Sequence, residues 1–173
     1  MTRRLLVMRH AKSSWSDPTL ADHDRPLNAR GKRDALRAGQ WLLERRTVPD
    51  LIFTSTAKRA RKTAKRVARA LGSAAPDIVT IRELYHADPE TYASWAASAP
   101  GHVETLLVIG HNPGMAFWVA QLASEIDAFP TAAIACVTLA IDDWSEMTVG
   151  TRGDLEWFWY PKLESHEGKH HER

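Results

Sequence analysis

Two histidines stand out by residue type and spacing. LLVMRH at 5–10 and LLVIGH at 106–111 are near-repeats, each an apolar run that stops on a histidine. An imidazole is a nucleophile, a general base or a metal ligand near neutral pH. Arg9, beside His10, adds a forked donor suited to phosphate or carboxylate oxygens. A third cluster lies at 57–71, where AKRARKTAKRVARAL carries Lys58, Arg59, Arg61, Lys62, Lys65, Arg66 and Arg69 and no acid. Cations in a first helical turn oppose the helix dipole, so Lys58 and Arg59 sit where acids are preferred. A bound anion would account for that placement. Each feature has a plainer reading, because strand-end histidines are usually structural and basic helix faces are usually just solvated. If they face one crevice, two histidines, two arginines and helix N-termini would suit a phosphoryl group; periodicity alone leaves the plainer readings equally open.

The elements that must position these residues follow from periodicity. The run ending at Arg9 is a short strand, apolar on both faces. A polar loop with two prolines leads to a helix over 28–46, whose inner stripe is Ala35, Ala38, Gly39 and Leu42. A strand is expected over 48–54, an amphipathic helix over 57–71 stopped by Gly72, a strand over 77–84 and a helix over 89–97. TLLVIG is a fourth strand, followed by a helix capped by Asn112 with Pro113 as its first residue. AIACVTLAI and LEWFWY close the series as two strands, antiparallel to each other. Alternating strands and helices imply a three-layer α/β/α arrangement with a mainly parallel central sheet. In such sheets ligands collect beyond the carboxyl ends of the strands, where His10 and His111 both fall.

Bulk properties narrow the function classes. The 173 residues fit one domain, expected over 1–161, with a polar, aperiodic tail over 162–173. Net charge is +2, so no global field favours nucleic acid or membrane. No apolar run reaches the length of a membrane span, and the N-terminal stretch is too short for a signal peptide. The only cysteine, Cys136, cannot form an internal disulfide. The expected location is the cytoplasm.

The segments LLVMRHAKSSW, TSTAKRARKTA, RELYHA and LLVIGHNPG, with DRPLNARGKRDA in support, resemble the histidine phosphatase (phosphoglycerate mutase-like) superfamily. The likeness is greatest to its small SixA-type phosphohistidine phosphatases, and the motifs stand in the family's order from Leu5 to about Gly114. The resemblance implies the histidine phosphatase fold. It assigns His10 as the nucleophile that is transiently phosphorylated. Arg9, Arg59 and His111 become the phosphate pocket, and Glu83 the general acid of many superfamily members. Ser16 stands where mutase-type relatives often place a phosphate-touching asparagine, and Lys12 would meet the substrate at the pocket edge. No metal or other cofactor is required, since the cations are side chains. Three departures from the family pattern are Ala11 in place of the glycine of R-H-G, Thr56 in place of a proline, and Ser16 itself.

The implied substrate is a phosphorylated protein, such as a histidine-containing phosphotransfer domain. The alternative is a small phosphorylated molecule hydrolysed as a phosphoester. The chain has little room for the insertions that wall in sugar phosphates in relatives. Two other classes were weighed. HEGKH at 166–170 matches the zinc protease pattern H-E-x-x-H but carries a glycine in a charged tail without apolar support. A nucleic-acid-binding module built on helix 57–71 has low net charge and no binding motif behind it.

Overall fold

The structure, a computed structural model, describes residues 1–124 and 126–161. The expected tail and its HEGKH motif lie outside the described residues. The elements are β1 (Arg3–Arg9), α1 (Ala29–Glu44), β2 (Leu51–Ser55), α2 (Lys58–Leu71), β3 (Asp77–Ile81), α3 (Pro89–Ala97), β4 (Thr105–Gly110), α4 (Gly114–Leu122), β5 (Ile134–Leu139) and β6 (Asp154–Trp159). One six-stranded sheet has the order β3-β2-β4-β1-β5-β6. β3, β2, β4 and β1 are parallel, β5 runs antiparallel to β1, and β6 antiparallel to β5.

The near-repeat forms the centre of this sheet in exact register: Leu5 pairs with Leu106, Leu6 with Leu107, Val7 with Val108, Met8 with Ile109 and Arg9 with Gly110. Every residue of β4 is buried, as expected of a parallel strand covered on both faces. Alternation then divides the core. Leu5, Val7, Leu106 and Val108 face α3 and α4, where Tyr92, Ala96, Met115 and Trp118 meet them. Leu6, Met8, Leu107 and Ile109 face α1 and α2, among Ala38, Leu42, Ala60, Ala64 and Val67. The α/β/α layering expected from the sequence is therefore the architecture observed.

Boundaries shift where side chains compete with the backbone. Asn28 is the N-cap of α1, not its first residue, because its carboxamide accepts from Gly31 N at 2.8 Å. The helix stops at Glu44, two residues before the expected end, and Arg46 turns to φ 52°. β2 starts later than expected, at Leu51. β3 ends at Ile81 because Arg82–Leu84 coils into a single 3₁₀ turn closed by Tyr85 N on Arg82 O. Pro113 precedes α4 rather than starting it, while Asn112 still caps by accepting from Ala116 N at 3.2 Å.

Two glycines let α1 lie where it does. A β-carbon on Gly39 would stand 2.6 Å from both Ala70 Cβ and Val67 O of α2. One on Gly31 would overlap the carbonyl of Lys12, which already accepts from Asn28 N at 3.1 Å. That carbonyl belongs to the loop leaving β1, so Gly31 seats α1 directly against the segment that carries His10. Gly31→Ala is expected to destabilise the protein by about 2 kcal/mol, a loss of roughly 4–8 °C in Tm for a domain of this size, measurable by thermal or urea unfolding.

Candidate active site

His10 is the first residue beyond β1 and His111 the first beyond β4, so the β1–β4 register brings the two imidazoles together. Their ring centroids are 5.0 Å apart, and the residues are only 6% and 3% exposed. The backbone of His10 is held on both sides: its N–H donates to Gly110 O at 3.0 Å, and its carbonyl accepts from Ala132 N at 3.1 Å. Ala11 N donates to Thr63 Oγ1, whose hydroxyl donates to Arg59 O, tying the loop to the first turns of α2.

The tautomer of His10 follows from geometry. His10 Nδ1 lies 2.7 Å from the carbonyl oxygen of Ala11, which can only accept, so Nδ1 carries the hydrogen. Nε2 is left with its lone pair. Arg59, on the first turn of α2 and 4% exposed, points Nε at that atom from 3.4 Å. Its other two nitrogens are occupied by Asp22: Nη1 donates to the Asp22 carbonyl at 2.7 Å and Nη2 to Oδ2 at 3.0 Å.

Asp22 is the organising acid of the crevice. Its carboxylate also receives Arg25 Nε at 3.2 Å and the Tyr85 hydroxyl, and His86 Nε2 stands 3.7 Å away. Desolvation opposes its ionisation, yet the Tyr85 hydroxyl and the Arg59 guanidinium outweigh that and hold the carboxyl below the usual range. Asp22 is therefore a fixed anion in a cluster of cations.

His111 is oriented by Ser55, the last residue of β2, whose Oγ is 2.6 Å from Nε2. Its backbone N–H donates to Tyr92 OH at 3.0 Å, and that hydroxyl donates to Leu84 O. Burial lifts the Tyr92 phenol to about 12, which keeps it protonated. Arg9 is half-buried and donates through Nη1 to Phe129 O at 3.3 Å; Asn112 Nδ2 donates to the same carbonyl. Arg9 Nε, Arg25 Nη1 and His111 Nδ1, all on crevice-lining residues, are buried and have no hydrogen-bond partner among the described residues. Unpaired buried donors are costly and call for an explanation. An oxyanion in the crevice would satisfy them.

Burial pushes the His10 imidazole down to about 3, against the Ala11 hydrogen bond, with Arg59 and Arg9 adding to the effect. Burial likewise lowers His111 to about 2, with His10 and Arg59 contributing. Both rings are neutral at physiological pH. A neutral imidazole with an unprotonated Nε2 can act as a nucleophile, and the guanidinium groups around it offer charge to developing phosphoryl oxygens.

Arg9, His10, Arg59 and His111 thus converge as the sequence led one to expect, and Lys12 lies on the same crevice wall. Ser16 is exposed and bonds to Ser14 Oγ, outside the crevice lining. Glu83 is exposed on the 3₁₀ turn and also lies outside that lining. The same segment brings Tyr85 and His86 to the site instead, with His86 at φ 55°. Asp22, Arg25, Ser55, Tyr85 and Tyr92 escaped the sequence reading. Asp22 is one of three acids of a polar loop, with Asp17 and Asp24, and Arg25 stands in DRPLN, so only that motif marked the segment; nothing local marked Ser55 or Tyr92.

Similarity to known proteins gives the family. The family model of the histidine phosphatase superfamily (branch 1) matches residues 5–108, a span that holds Arg9, His10 and Arg59 and stops just short of His111. Protein Rv1276c of Mycobacterium tuberculosis, itself uncharacterized, is 39% identical over 154 residues, covering 83% of this chain and 93% of that one. Among solved structures, SixA of Nakamurella multipartitia superposes with a TM-score of 0.80 at 26% identity, covering 93% of this chain and 97% of its own. SixA of Agrobacterium tumefaciens gives 0.78 at 32% identity, with 92% and 98% covered. Both are named as phosphohistidine phosphatases. The chain belongs to branch 1 of the histidine phosphatase superfamily.

Proposed function

We propose that this protein is a metal-independent phosphatase that passes through a covalent phosphohistidine on His10, and that its substrate is a phosphohistidine carried by another protein. The observation that carries the reading is the fixed tautomer of His10 facing Arg59. Nε2 attacks phosphorus, an N–P bond forms, and the bond to the leaving nitrogen breaks in line. Arg9, Arg59 and His111 hold the three equatorial oxygens. With the Ser55 hydroxyl donating to Nε2 of His111, the ring hydrogen sits on Nδ1, the atom that lacks a partner. A substrate imidazole protonated on its second nitrogen leaves as neutral imidazole, so no acid is needed. Water then attacks the phosphoenzyme, orthophosphate departs, and Nε2 regains its lone pair. A phosphohistidine substrate makes the two half-reactions chemically alike, which suits a crevice whose acid, Asp22, is held ionised among cations.

His10→Ala should abolish turnover, a loss of more than about a thousandfold. Because the arginines stay in place, the variant should still gain Tm in orthophosphate, which shows an intact pocket. Near-full phosphatase activity in that variant would remove His10 from the mechanism.

Glu83→Gln should leave hydrolysis of a phosphoramidate and of an aryl phosphate ester equally unchanged, within about twofold. Loss on the ester alone would instead make Glu83 the acid for alkoxide-type leaving groups.

The neutral histidines also set the response to acid. Their pKa values are lower folded than unfolded, where 6.5 is normal, so between about pH 6.5 and about 3 the unfolded chain binds protons that the folded one refuses. Stability is complete above that window and falls as pH falls through it. Tm measured from pH 7 to 5 should decline, and His10→Gln should flatten the slope.

A further inference from the structure

The low net charge conceals a division of charge within the fold. Residues 29–71, which hold α1, β2 and α2, carry thirteen of the chain's 23 lysines and arginines but only three of its 21 acids. That segment is therefore +10, and the rest of the chain −8. α1 and α2 cover the same face of the sheet and approach closely, Gly39 lying against Val67 and Ala70, so their outer sides form one surface. On α2 the buried Ala60, Ala64, Val67 and Leu71 fix the inner side. Lys58, Lys62, Lys65 and Arg69, at i, i+4, i+7 and i+11, form a line along the opposite side, about 16 Å long. Lys62, Lys65 and Arg69 are exposed, as are Lys32 and Arg33 on α1. None of the four on α2 has an ion pair among the described residues, whereas Arg4, Arg25 and Arg59 are each held by a carboxylate. Like charges at these spacings repel one another along a helix, and an anion from outside would offset that cost.

The chemistry of the face selects the partner. Protein interfaces have a core with few charged residues and are poor in lysine. Here the line holds cations alone, and the one exposed large apolar residue of the segment, Leu43, stands near the end of α1. A helix that lies on a membrane inserts an apolar face, and that face of α2 is packed on the sheet. A nucleic-acid backbone asks for a row of cations and no pocket. We propose that the outer face of α1 and α2 binds the phosphate backbone of a duplex nucleic acid without regard to base sequence, with Lys58, Lys62, Lys65 and Arg69 each meeting a phosphate. None of these four lines the reacting crevice, so the surface stands apart from the phosphatase reading above.

Fluorescence anisotropy with a labelled DNA duplex of about 20 base pairs and arbitrary sequence tests this. Four phosphate contacts set a slope of about −3.6 for log affinity against log salt, a loss of about a hundredfold between about 50 and 200 mM salt. The triple variant Lys62→Gln, Lys65→Gln, Arg69→Gln should flatten the slope to about −1, and unfold cooperatively at or above the wild-type Tm because it relieves repulsion. No binding by the wild type at about 50 mM salt, or a variant slope equal to the wild type's, would overturn the proposal. Tighter binding to phosphatidylserine vesicles or to polyglutamate than to the duplex would overturn it as well, by making the partner a membrane or an acidic protein.

Discussion

The pairing of β1 with β4 is the constraint on which the site depends. Parallel strands buried on both faces hold their register strongly, because a slip by one residue would exchange the two core faces. Here the register aligns LLVMR with LLVIG residue for residue, and the residue that follows each strand is a histidine. The two rings therefore meet at the carboxyl edge of the sheet without help from long loops. Burial that stabilises the strands also strips water from the imidazoles and keeps both neutral. Stability and the neutrality of both rings come from the same packing, and His111 Nδ1, without a hydrogen-bond partner among the described residues, is the local cost of that arrangement.

Gathering arginines around such a pair requires a counter-charge. Asp22, itself on the crevice wall, provides it to Arg59. It takes both terminal nitrogens and leaves Nε turned toward His10. A planar five-donor fork allows this division of labour; a lysine ammonium could not be pinned on one side and directed on the other. The same carboxylate reaches Arg25 and Tyr85, so one acid orients cations contributed by two separate segments. Because it accepts several hydrogen bonds in its ionised form, its carboxyl is held below the usual range.

Much of this was legible in the sequence, and what was not has a physical reason. Strand and helix periods, the small-residue stripe of α1 and the order of motifs led to the α/β fold and to Arg9, His10, Arg59 and His111. The supporting layer was hidden because its members act through contacts far apart in the chain. Ser55 reads as the end of a strand and Tyr92 as a helix core residue; only assembly reveals that one grips the His111 ring and the other its backbone. The region around Glu83 was misplaced for a local reason. Periodicity continued β3 to Leu84, whereas the chain coils after Ile81, leaving Glu83 outside and carrying Tyr85 and His86 inward. Motif position located the segment correctly but could not tell which of its side chains faced the crevice.

The reversal of β5 explains why this site has a wall that β-α-β crossovers alone would not supply. Parallel strands present their carboxyl ends to the ligand, and loops rising from those ends line it. An antiparallel neighbour presents its amino end at the same edge. Residues leading into Ile134 therefore arrive beside His10: Phe129 O holds Arg9 and Asn112, Ala132 N holds the His10 carbonyl, and Thr131 lines the crevice. β6 runs back toward that edge and ends there, which sets Phe158 and Tyr160 along a cavity that also borders Arg9 and Thr131. Two hairpin-related strands at one side of a parallel sheet thus give a strand-end crevice a wall held by the sheet's own ladder.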